Sequence, residues 1–417
     1  MSLQIIPEIV TQHVEEAAFL WLLRDAAVAA PHYALDDLAR LDQRVEAHLD
    51  GLRVTGNDGT EIIQAELEIR EPGEVFAASV FAFESGSPDG IDAVMKLVSQ
   101  APALARAVVS ALGWLNIDQA RGHINVLLDE QLPAFRRIGI AAASVHRLIP
   151  RKAIEAALGS SDVFLRSRGL RAVGELGLAS LLPMMRGDLI AEDEQVRFWA
   201  AWSCALLSDD KQAISVLQQL VVSSSRMSSK AIEVVMHRMD HAVAAAWVRK
   251  LASDPQHYRS AIIALGRLGL PDSIPWIVER MGTPALARVA GEALSMITGT
   301  HIAYDMLEGE PPEGFEAGPT ENPEDDDVAM DIDENLPWPD QVRISAWWSK
   351  HGSEFSPGTR YLVGKPISAD WLTEVLKSGR QRQRAAAALE LAILQPGKPL
   401  FNVRAPGFRQ QRWLSGR

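Results

Sequence analysis

His237 and His241, in the string HRMDH, are four residues apart and would share one face of a helix, the spacing of paired metal ligands. A zinc protease carries a glutamate after the first histidine; here that place holds Arg238, and no third ligand is indicated. The expectation is an ordinary surface or interface pair, with no metal and no cofactor. Ser223, Ser224, Ser225, Ser228 and Ser229 cluster in SSSRMSS, but no base accompanies them in sequence, so they read as a polar loop. No GxSxG, Walker-type loop or dinucleotide glycine fingerprint is present, and GLRVTGNDG at residues 51–59 lacks the strand-to-helix setting of a phosphate loop. Cys204 is the only cysteine, which excludes an intramolecular disulfide and a cysteine-built metal cage. Its surroundings, WSCALL, are those of a core residue. With no catalytic constellation, the expected function is non-enzymatic.

A different pattern runs along the chain. Arg106, Arg136, Arg166, Arg197, Lys230, Arg259 and Arg288 are spaced by 30, 30, 31, 33, 29 and 29 residues. Most open a stretch rich in small residues, such as RAVVSALGWL and RSAIIALGRLG. A helical repeat of this length predicts an all-α, right-handed solenoid of helix pairs, each too small to bury its apolar face alone. The alanines would let neighbouring helices approach closely, and the glycines near the ends would accept a left-handed cap. The cations have two readings. They could pair with acids or carbonyls of a neighbouring repeat, which is expected, or line a basic groove for nucleic acid.

Charge separates these. The net charge is −13, but residues 305–340 hold 14 acids and no lysine or arginine, so the remainder is near neutral, at about +1. A near-neutral body counts against nucleic acid. The acidic stretch, with its prolines and glycines, reads as a flexible insertion; its alternatives are to fold back over a basic surface such as residues 360–417 and gate it, or to dock a basic partner. Residues 360–417 carry 11 lysines and arginines against three acids. Asp325, Asp326 and Asp327, with Trp338 in LPWPD, Trp347, Trp348, Arg360 and Tyr361, are the candidate partner-binding residues, because they lie where the repeat is interrupted. At least one of Trp347 and Trp348 is expected to seal the core.

These patterns predict four regions: an N-terminal helical cap over 1–59, a repeat array over 60–304, the acidic insertion over 305–340, and a C-terminal repeat with a basic tail over 341–417. EVFAASVFAFES, near residue 80, has aromatic and β-branched residues suited to a strand, but it falls in phase with the repeat and is read as helix. The N-terminus lacks a basic n-region and AAFLWLL is far too short to span a bilayer, so a cytoplasmic location is expected.

The RxxAxxALGxLG helix, followed by a D/PxxxPxL helix, resembles short HEAT-like repeats of the phycobilin-lyase type. The whole chain also resembles a proteobacterial family of uncharacterised HEAT-repeat proteins, on IIPEIVTQHVEEAAFLW, EPGEVFAASV, the C-terminal string from Trp347 through Tyr361 to Pro366, RQRQRAAAALELA and FNVRAPGFRQQR. Members tend to be encoded among type VI secretion genes. The resemblance implies a setting and not a reaction; together with the solenoid architecture, that setting leads to the expectation of a scaffold, adaptor or chaperone for a secretion spike component or effector. The alternatives on such a scaffold are a lyase or isomerase, or a metal-dependent hydroxylase, and then a nucleic-acid binder. Deoxyhypusine hydroxylase, a HEAT-like metalloenzyme, uses His-Glu pairs, and this chain has no His-Glu dipeptide.

Overall fold

A computed structural model describes residues 5–315, 317–318 and 330–416. The chain is all-α. In order, the helices are α1 (Pro7–Ala27), α2 (Leu35–Thr55), α3 (Thr60–Ala65), α4 (Pro72–Ser85), α5 (Pro88–Gln100), α6 (Ala105–Trp114), α7 (Ile117–Asp129), α8 (Pro133–Val145), α9 (Arg151–Leu158), α10 (Val163–Glu175), α11 (Leu182–Met185), α12 (Glu194–Leu207), α13 (Lys211–Val222), α14 (Ser228–Arg238), α15 (His241–Leu251), α16 (Tyr258–Leu268), α17 (Ile274–Arg280), α18 (Pro284–Thr298), α19 (Gln341–His351), α20 (Ala369–Ser378), α21 (Gln381–Leu394) and α22 (Gly407–Leu414). Among the described residues, the only named strands are β1 (Tyr361–Leu362) and β2 (Lys365–Pro366), an antiparallel pair.

The chain divides into two compact units. One comprises Met1–Ala29, Tyr33–Leu207 and Pro396–Arg417; the other comprises Ala30–His32 and Ser208–Gln395. In the first unit, α1, α4, α6, α8, α10 and α12 pack one on the next in chain order. The intervening helices flank them: α7 lies on α8 and α9 on α10. Trp21 of α1 stacks on Phe76 of α4 at 4.9 Å, and Phe76 meets Trp114 of α6 edge-on at 5.5 Å. These rings join three successive helices into one core. Gly174 of α10 allows close approach, since a methyl group there would sit 2.5 Å from the Trp202 ring of α12.

The helix over 72–85 is the one whose composition also suited a strand. Phe76, Ala77, Val80, Phe81 and Phe83 are all buried, because α1, α2, α5, α6 and α7 surround it. A helix covered on every side has no polar stripe to display its period.

In the second unit, α14, α16 and α18 pack in order, with α13, α15 and α17 flanking them. Helix α21 lies on α14 and α20 on α21.

Irregular segments finish the inner helices. The last carbonyls of an α-helix have no partner within it and carry the negative end of its dipole, so they call for donors, best of all cationic ones. In the first unit the tail after residue 395 supplies them. Leu400 N donates to Glu175 O of α10 at 2.9 Å, and Asn402 Nδ2 reaches Val145 O of α8 at 3.4 Å. Arg409 donates to the carbonyls of Gly113, Trp114 and Leu115 at the end of α6, at 2.8, 3.1 and 2.8 Å. In the second unit the segment around β1 does the same. Arg360 Nε donates to Leu268 O of α16 at 2.8 Å, Tyr361 N to Gly269 O at 2.8 Å, and Val363 N to Met296 O of α18 at 2.7 Å. Gly269 has φ +76°, and a methyl group there would sit 2.2 Å from Tyr361 O, so only glycine both ends α16 and admits this strand.

The Arg409→Ala substitution is expected to destabilise the protein by about 1–3 kcal/mol, because half-buried carbonyls lose a charged donor. Guanidinium chloride denaturation measures this; an unchanged midpoint would contradict the capping role.

Candidate interaction surface

At least five of the seven repeating cations meet an acid or a carbonyl. Arg106 pairs with Asp25, and Arg166 pairs with the buried Asp188. Arg197 Nη1 donates to Glu192 O at 3.0 Å. The two cations farthest along are met by the acidic stretch itself. Arg259 grips Asp333 with both terminal nitrogens, at 2.7 and 2.6 Å, and Arg288 pairs with Asp331. The hydrogen bonds to Asp333 outweigh burial and push the Arg259 guanidinium above its ordinary pKa. Residues 331–340 are therefore fitted to α16 and α18 at their described end.

More contacts hold that end in place. Asp333 and Leu336 are buried, at 5% and 7% exposure. Gly309 N donates to Trp338 O at 2.9 Å and Asp340 N to Leu307 O at 2.8 Å, tying the two ends of the segment together. The Arg288 guanidinium lies 5.5 Å from the centre of the Trp338 ring, which meets Phe315 at 5.1 Å.

The candidate residues from sequence separate accordingly. Asp325, Asp326 and Asp327 lie outside the described residues. Trp338 is half-buried beside Arg288. Trp347 and Trp348 are both half-buried on α19, where only Ile344 is fully buried; Trp347 stacks on His351 at 4.7 Å and Trp348 meets Phe355 at 5.6 Å. Neither tryptophan is enclosed in the core, because α19 is covered chiefly by α17.

Arg360 and Tyr361 are buried, at 8% and 6% exposure. Arg360 joins Glu390 and His237 in a cluster inside the second unit. His237 Nδ1 lies 2.7 Å from Glu390 Oε1, and Arg360 forms an ion pair with the same carboxylate. His237 Nε2 is buried without a partner. Burial alone would raise the Glu390 carboxyl, but His237 and Arg360 outweigh it and hold the pKa at about 2. The matching group in the first unit is Glu175. Burial again opposes its charge, and Arg168, then Arg171, hold it at about 2.

His237 and His241 do not share a helix. Arg238 ends α14, and Asp240 caps α15 by accepting from Ala242 N and Val243 N at 3.0 and 3.2 Å. A short acid that bonds the backbone ahead of it favours a helix start, which divides the HRMDH string. His241 is exposed, whereas His237 faces Glu390. Among the described residues, no three ligating side chains are grouped to hold a metal ion. No described helix is long and apolar enough to cross a membrane. No protein-family model and no curated protein matches the chain.

Glu390 was missed from sequence, although a lone acid inside AAAALELA is a usable signal. An acid within an apolar helix needs a buried partner.

The folded protein keeps Glu175 and Glu390 ionised at pH values where the unfolded chain would protonate them. Their stabilisation is present above about pH 4.5 and is lost as pH falls toward about 2. Asp42 works in the opposite sense, because burial raises it. The test is therefore a difference between proteins. Glu390→Gln is expected to cost about 3–5 kcal/mol at neutral pH by leaving Arg360 unpaired. It should also flatten the acid limb of stability between pH 5 and 2. Denaturant titrations across that range check this; the same acid slope in both proteins would contradict it.

Proposed function

We propose that the chain is a right-handed solenoid of short HEAT-like helix pairs that works as a non-enzymatic, protein-binding scaffold in the cytoplasm. In this reading it is an adaptor or chaperone, and its partner is a spike component or effector of a type VI secretion system. One observation carries the scaffold reading: the edges of stacked inner helices accept extended segments of protein. In the first unit the tail after residue 395 lies along the ends of α6, α8 and α10. In the second, residues 331 and 333 meet the cations of α16 and α18. A row of helix ends and regularly spaced cations offers repeated donors and acceptors to any extended chain, which is how stacked helix repeats bind partners.

The secretion setting is supported by the sequence resemblance to the HEAT-repeat family. Arg259 and Arg288 are already occupied by the chain's own Asp333 and Asp331, which points to an extended acidic segment as the class of partner that such cations accept elsewhere along the row. The cytoplasmic setting fits an adaptor that meets its cargo before export.

Affinity capture with the full chain, from bacteria whose type VI system is active, tests this reading. The expected result is co-purification of a spike or effector component that then forms a complex with the purified chain. Recovery of neither class would overturn it.

A further inference from the structure

Helices α1 and α2 bring two histidines together on the first unit. His13 Nδ1 and His48 Nδ1 are 3.2 Å apart. The rings meet edge to face, with centroids 5.3 Å apart and planes at 62°. The nearest atoms are thus the two nitrogens, and the rings extend away from them.

The placement is supported by a third residue. Gly51 lies one turn beyond His48 in α2, and a methyl group there would sit 2.6 Å from the His13 ring. Glycine inside a helix costs about 0.5–1 kcal/mol relative to alanine. Here it leaves the space that the His13 ring occupies.

The separation has a chemical meaning. Tetrahedral zinc bonds imidazole nitrogen at about 2.0–2.1 Å, which sets two such nitrogens about 3.3 Å apart. Without a metal, a hydrogen bond between these atoms needs one nitrogen to donate and the other to accept. With a metal, both present lone pairs. Both rings are half-buried, so water can reach the site. Glu16, one turn after His13, adds negative charge toward His48, while Arg44, one turn before it, opposes a cation.

We propose that His13 and His48 form a chelating site for a divalent transition-metal ion of the zinc class, with water in the remaining positions. The site is independent of the scaffold reading and shares no residue with the helix-end contacts.

Titration calorimetry of the chelator-stripped full chain with zinc chloride tests it. One equivalent is expected to bind. His13→Gln or His48→Gln should each weaken that binding by roughly tenfold or more, since each removes half of the protein ligands. Gly51→Ala retains both histidines but takes the space of the His13 ring, and it too should weaken zinc binding. The proposal is overturned if the wild-type chain binds no zinc. It is also overturned if a folded double variant, His13→Gln with His48→Gln, or a folded Gly51→Ala variant binds zinc as tightly as wild type.

Discussion

The structure depends on how the carbonyl ends of its inner helices are satisfied. Each such end presents orphan acceptors and a partial negative charge. A stack of helices places these ends in rows, and the chain meets them with donors from outside the stack. Arg409 serves three carbonyls at the end of α6, and Arg360 with the Tyr361 and Val363 amides serves the ends of α16 and α18. Neighbouring helices contribute as well: His123 reaches Phe83 O at 2.9 Å and His146 reaches Leu112 O at 2.8 Å. This gives the basic character of residues 360–417 a structural reason.

Buried charge locks the capping segments in position. In the first unit, Arg24 donates to Asp42 at 2.8 Å and to the carbonyls of Arg404 and Ala405 at 2.9 Å, while Asp42 also accepts from Gly407 N. In the second, Glu390 holds Arg360. Removing one partner of such a pair leaves an unpaired charge in the interior, which costs more than the pair contributes by forming. The tail and the β1 segment are therefore bound into their units by the same charges that make them look like a binding surface in sequence.

The all-α class was legible because small-residue helical stretches recur along the chain. The cations at intervals of about 30 residues fall on α6, α8, α10, α12, α14, α16 and α18, and their phase also gave α4 as helix, although its local composition was ambiguous. The ends of the acidic stretch were harder to read. Composition alone favours solvent exposure for residues 305–340, yet Asp331 and Asp333 fall where they meet Arg288 and Arg259. That pairing joins residues 43 and 74 positions apart, and a linear pattern does not display it. The aspartates at 325–327 lie outside the described residues. The HRMDH spacing failed for a local reason: Asp240 begins a new helix. Arg360 stood out in sequence by its charge, but its role came from Glu390, thirty residues away and visible only as an odd acid in an apolar helix.

The central claim is that the C-terminal tail caps the inner helices of the first unit. Hydrogen exchange on the full chain and on a chain ending at Gln395 tests it most directly. The account predicts faster exchange at the last turns of α6, α8 and α10 once the tail is gone, with the middles of those helices less affected. Unchanged protection at those three helix ends would contradict it.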